Sequence, residues 1–250
     1  MKRTTQNAIA IPAILTLFAL AGCGGGGSSS STPSTPAATP VVTPVTSANS
    51  FALQSAFKKF VASGATTNYT ISDFCTGTAT SSISVPVAAT FEGVATAISV
   101  TTTETATFTA STCTPTSDVQ TRVEYYDSNY NPLGHAIAGV EYSVYAPAAT
   151  ALPTSVKVGD TAIIGTETNY SDSSKKPPAV VTTRQASFVI EADTATTAIV
   201  NFISKPTATF DETRQTRYRI DAAGTLTPVS IDRLYKNSAF KDVHMLYTAK

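Results

Sequence analysis

The sequence predicts an all-β protein, an antiparallel meander forming a sandwich or a strongly curved, barrel-like sheet, with one N-terminal helix. Three observations carry this prediction. From Tyr69 onward apolar residues recur with a period of two instead of 3.6. The runs are joined by short Gly/Asp turns, with no helical pattern between them to provide the long crossovers that parallel strands need. Threonine, serine and valine abound while charged residues are only 14% of the chain, a bias that fits pleated, half-polar surfaces.

The chain opens with Lys2 and Arg3, followed by an uncharged apolar run from Ala8 to Leu20. Basic, then apolar, then small residues is the layout of a secretory signal. The run is shorter than the roughly 20 residues that span a bilayer as a helix, and Pro12 interrupts it. It ends in Leu20-Ala21-Gly22-Cys23. Here the chain resembles bacterial lipoproteins, whose lipobox has Leu, two small residues and a Cys. The resemblance implies that residues 1–22 are a cleaved signal peptide and that Cys23 carries a diacylglyceryl group and an acylated amine. Two or three acyl chains anchor firmly, at about 0.8 kcal/mol per buried CH₂. Gly24, in place of the Asp that favours inner-membrane retention in that family, implies the outer membrane of a Gram-negative cell. The mature chain likewise resembles Thr-rich Gram-negative outer-membrane lipoproteins, a likeness that supplies no activity. Gly22, Gly24 and Gly27 also match G-x-G-x-x-G, but a dinucleotide fingerprint must follow a strand and open a helix, and this one follows a signal sequence.

Residues 23–48 read as a tether: Gly and Ser first, then "STPSTPAATPVVTP", without a single charge. Such a segment buries too little apolar surface to offset its ordering entropy. Residues 49–250 form one β-rich domain. Removing Lys2 and Arg3 with the leader leaves 15 basic residues against 17 acids, a net charge of −2. That balance excludes a basic footprint for nucleic acid. With Cys23 acylated, Cys75 and Cys113 remain, an even count that predicts a disulfide in an oxidising compartment. Closing that loop contributes about 4 kcal/mol in the chain-entropy account.

"NSFALQSAFKKFVASG" places Leu53, Ala56, Phe57, Phe60 and Val61 on one helical stripe, with Asn49 or Ser50 as cap and Gly64 as terminator. Beyond it, "AGVEYSVYA" alternates Ala138, Val140, Tyr142 and Val144 with Gly139, Glu141 and Ser143. Ala186, Phe188 and Ile190 share a face, turn near Asp193 and return as Ala198, Val200 and Phe202. A second hairpin turns at Asp221 to Gly224, and a Gly-Asp turn divides "VKVGDTAIIGTETNY" into two runs. Roughly ten strands are expected in all.

The sequence shows no catalytic, cofactor or metal motif: no G-x-S-x-G, no HExxH and no P-loop. His135 is placed at a loop-to-strand edge and His244 in the last strand, neither beside a recognisable nucleophile. Asp127, Asn129 and Asn131 begin like a calcium loop, but Pro132 and Ala138 stand where that loop needs Gly and Glu, so a turn is expected. Tyr125, Tyr126, Tyr130, Tyr142 and Tyr145 offer a stacking platform or, more ordinarily, half-buried packing. Arg217 and Arg219 share one strand face and Arg214 the other, and a solvated face or pairing with Glu191 or Asp211 accounts for them. Charges are expected at turns or on solvated sheet faces. The reading is a non-enzymatic, lipid-anchored envelope protein held to the membrane by its acyl chains, with a β-domain that binds an envelope protein or glycan or gives structural support. Its rivals are a carrier of apolar ligands, with the helix over the mouth of a curved sheet, and a Ser/Thr hydrolase.

Overall fold

The computed structural model describes residues 49–109, 113, 115–176, 180–207, 212–236 and 242–250. The leader, Cys23, the tether and Asp211 lie outside the described residues.

Helix α1, Leu53–Ser63, forms where the apolar stripe predicts. Its start differs from expectation. Neither Asn49 nor Ser50 caps it; Ala52 holds the cap position without a side-chain bond. Phe51 instead makes an isolated β-bridge with Val156, and Gln54 N–H donates to the Pro153 carbonyl at 3.1 Å. The orphan donors of the first turn are thus met partly by a neighbouring loop. Gly64 ends the helix at φ 64°, and a Cβ there would lie 3.0 Å from the Ile83 carbonyl oxygen.

Thirteen antiparallel strands follow among the described residues. β1 (Ala65–Asp73) and β2 (Gly77–Ile83) form a hairpin, then β3 (Val87–Phe91) and the long β4 (Val94–Phe108). β5 (Ser117–Tyr126), β6 (Pro132–Ile137), β7 (Glu141–Tyr145) and β8 (Thr161–Tyr170) continue the meander. β9 (Val180–Ala192) and β10 (Thr197–Pro206) are the expected hairpin about Asp193, and β11 (Thr213–Asp221) and β12 (Leu226–Lys236) the one about Gly224. β13 (Asp242–Ala249) pairs with both β12 and β1. The length of β4 closes the sheet: its first part pairs with β3, and from Thr102 it pairs with β2. Twelve strands therefore form a closed barrel with β3 outside it, which decides between the sandwich and the barrel.

One expected strand is shorter than the pattern suggests and another is absent. In "AGVEYSVYA" the strand begins at Glu141, because Gly139 at φ 70° makes a turn closed by Val140 N–H to the Ile137 carbonyl. Before the Gly159-Asp160 turn no strand forms; Val156 makes its bridge to Phe51 instead.

The helix stands in one mouth of the barrel. Leu53 and Ala56 pack with Phe188, Ile190, Val200 and Ile220, while Val61 packs with Val100 on the opposite wall. At the other end a second core joins Ile71, Val243 and Met245, and there the Cys75–Cys113 disulfide ties the turn after β1 to the segment after β4.

Candidate binding site

Between the helix and the far core lies a cavity of about 270 Å³ inside the barrel. Its apolar side is built by Phe57 and Phe60 of the helix with Leu152, Ile164, Phe202 and Tyr218. The rings are interlocked: Phe57 sits 5.7 Å from Phe202 and 6.1 Å from Tyr126, and Phe60 sits 5.1 Å from Tyr218. These are edge and tilted contacts, the favoured geometries of aromatic pairs.

The opposite wall is charged. Strands β4, β5, β6, β8 and β11 turn Glu104, Arg122, Glu124, His135, Glu167 and Arg214 into the lumen. This overturns the expectation that charges sit at turns or on solvated outer faces. In β7 the polar alternates Glu141, Ser143 and Tyr145 share the inward register of His135 and Glu167, while Tyr142 packs with Phe91 on the other face. Gly134 lets β6 and β7 approach: a Cβ there would meet the Ser143 carbonyl oxygen at 2.0 Å and the Phe91 ring at 2.8 Å.

Each lumen carboxylate has a donor. Arg214 pairs with Glu104. Tyr126 donates its hydroxyl to Glu124 at 2.7 Å. Ser143 donates to Glu167 at 2.8 Å, and His135 lies between Glu141, 2.7 Å from Nε2, and Glu167, 3.4 Å from Nδ1. Burial works against the Glu104 charge, but the Arg214 guanidinium outweighs it and holds the carboxyl at about 2. Burial also opposes a charged His135, yet its bonds to Glu141 and Glu167 prevail and raise its pKa, and burial of those two acids is likewise outweighed by His135, which lowers theirs. Burial, then the Glu124 charge and hydrogen bond, pushes the Tyr126 hydroxyl well up.

The histidine is therefore not placed as a base for the neighbouring serine. Both of its nitrogens face carboxylates, and the Ser143 hydroxyl points its proton at Glu167. A serine relay needs a ring nitrogen free to take the hydroxyl proton. His244 lies on the far side of the sheet, between Asp73 at 3.0 Å and Asp232 at 2.9 Å. Among the described residues no group of three or more His, Cys, Asp or Glu is arranged to hold a metal ion. Asp127 Oδ1 accepts from the backbone N–H of Asn129 and of Asn131, which makes the expected turn.

The tyrosines do not form one platform. Tyr126 and Tyr145 face the lumen wall, whereas Tyr125 and Tyr142 pack on Phe91 beneath the β3–β4 hairpin. The arginines divide as the alternation predicts. Arg214 points inward to Glu104, Arg217 reaches Glu191 at 3.5 Å and Asp232 at 3.7 Å, and Arg219 pairs with Asp193 at 2.6 Å. Sequence reasoning missed Glu104, Arg122, Glu124 and Glu167. Their signal was charge embedded in strands, in "TTETAT", "TRVEYY" and "GTETNY", where a turn would not place it.

Compared with protein-family models, curated proteins and solved structures, the chain matches none.

Proposed function

We propose that this protein is a lipid-anchored envelope protein whose barrel binds a small amphipathic molecule in its lumen without chemical change to it. One observation carries the reading: a cavity of about 270 Å³ with an aromatic side on the helix and a charged wall opposite. Small-molecule sites are typically apolar hollows of about 300–1,000 Å³ with a few convergent polar groups. A cavity of about 150 Å³ holds benzene, so this one suits a ligand somewhat larger than one aromatic ring. The helix stripe supports the same reading, since it stands in the mouth and supplies two of the rings.

The anchor is the Leu20 to Cys23 lipobox. The barrel wall itself is unsuited to lipid. Asn201, Gln215, Arg217, Asp232 and His244 lie mid-strand on the face opposite the lumen, and an arginine at the bilayer midplane on a lipid-facing strand costs about 2–4 kcal/mol.

The test uses the purified mature domain and calorimetric titration with three probes of one shape: 4-phenylbutanoate, 4-phenylbutanol and 4-phenylbutylamine. At least one binds with 1:1 stoichiometry, and Thr216→Trp, which fills the lumen from a lining position on β11, abolishes it while the domain stays folded. Absence of binding by all three, or binding indifferent to the tryptophan, overturns the reading. In cells a fatty-acid probe labels the wild type and not Cys23→Ala, and equal labelling would refute the anchor.

A further inference from the structure

We infer that the lumen selects a monoanion, a carboxylate on an apolar body, and that Arg122 is the group that grips it. The inference rests on the lumen-binding reading above and adds the charge of the ligand and its anchor.

The argument is an accounting of donors. A guanidinium carries five N–H groups in a fixed fork. Arg122 has one polar contact among the described residues, Nε to Glu124 Oε1 at 3.4 Å. Its terminal nitrogens are uncommitted, and the side chain keeps 26% of its surface open, so water satisfies it when nothing else does. The other lumen cations have carboxylates of their own: Arg214 has Glu104, Arg233 has Glu212, His135 has Glu141 and Glu167, and Arg184 stands opposite Glu167 in register and acts on the Glu141 charge. The lumen acids take their short hydrogen bonds from Arg214, Tyr126 and Ser143, one each, and feel Arg122 through its charge and the long contact to Glu124.

A ligand amine would thus meet carboxylates already supplied with donors and a guanidinium that repels it. A ligand carboxylate meets a fork with two free arms, the geometry for paired parallel hydrogen bonds. The charge count favours one negative charge over two. Glu104, Glu124, Glu141 and Glu167 balance Arg122, Arg184, Arg214 and a protonated His135, so a monoanion leaves the lumen at −1 and a dianion at −2. The apolar body of the ligand then lies toward Phe57, Phe60, Phe202 and Tyr218.

The three probes decide it at pH 7.5. In the wild type 4-phenylbutanoate binds at least about tenfold more tightly than the alcohol or the amine, the smallest effect expected of a charged hydrogen bond. Arg122→Gln brings the acid down to the affinity of the alcohol and leaves the alcohol unchanged, and Arg122→Lys recovers part of the preference. If the alcohol binds as well as the acid in the wild type, the lumen binds ligands but the anion assignment is wrong. If the acid is preferred and Arg122→Gln retains that preference, the anchor is another residue. Should Arg122→Gln fail to fold, the wild-type preference and the Arg122→Lys titration still decide. Failure of all three probes belongs to the lumen-binding reading instead.

Discussion

Two walls of one barrel follow opposite rules. At the helix end of β9, β10 and β11 the inward face is Phe188, Ile190, Ala198, Val200 and Ile220, each no more than 2% exposed. On β4 to β8 the inward face is Glu104, Arg122, Glu124, His135, Ser143 and Glu167. Both walls alternate with a period of two, so their local patterns are equally regular. What differs is the partner. The helix lays Leu53 and Ala56 on the first wall and excludes water from it, while the second faces the cavity. The charged wall also tolerates a cost the other avoids: Asn169 is fully buried opposite Ser143, and its carboxamide has no hydrogen-bond partner among the described residues. Such a departure from local rules is what the proposed binding role of the lumen leads one to expect.

If the apolar wall carries the stability, a void in it is the most damaging single change. Phe188→Ala leaves a hole against the helix and should cost about 3–5 kcal/mol in urea unfolding. A loss below about 1 kcal/mol would mean that the helix does not bear on this wall. The same change should leave the disulfide intact, because Cys75 and Cys113 belong to the other core.

The apolar wall was legible in the sequence and the charged wall was not, for a physical reason. Ala186 to Phe202 announces its buried face because apolar residues there have no other use than burial. In β5, Arg122 and Glu124 alternate with Thr121 and Val123, and alternation fixes which residues share a face but not which face is inside. In an open sheet the charged face would be the solvated one. Here closure reverses that, and closure depends on the pairing of β2 with β4, a contact between strands whose partners the turn signals do not specify. The helix was found by its stripe, but its cap was missed because Phe51 pairs with Val156, about a hundred positions away in sequence.

The second test sharpens the contrast between inward and outward ion pairs. Glu104 and Arg214 keep only 19% and 15% of their side-chain surface. Glu104→Gln leaves the guanidinium facing the lumen without its counter-charge and should cost about 3 kcal/mol, the low end for a broken buried pair. Asp193→Asn, which breaks the outward pair with the half-exposed Arg219, should cost less than about 1 kcal/mol. The Glu104 carboxyl is held at about 2 in the fold, so its contribution is complete above its ordinary 4.5 and is lost as pH falls from there toward 2. Acid unfolding should therefore flatten in Glu104→Gln relative to wild type. Equal costs for the two substitutions would show that the lumen is as wet as the surface.

The smallest effect concerns His135, because burial opposes its charge and offsets part of what Glu141 and Glu167 supply. Its pKa in the fold is raised above 6.5, so the folded state holds the proton more tightly than the unfolded chain does. That contribution is fully present below 6.5 and disappears as pH rises through the raised value. Glu141 and Glu167 act in the opposite sense: their lowered values add stability above 4.5 that is lost on acidification. The charged wall should be most stable between those limits, in mildly acidic solution. The apolar wall carries none of these groups, so any decline that depends on them belongs to the lumen. Melting temperature measured from pH 5 to 9 should fall on the alkaline side in the wild type and fall less in His135→Gln, in which position 135 no longer titrates. Superimposable profiles would show that the histidine is neutral in the fold throughout, and the lumen would then stand one positive charge short of balance.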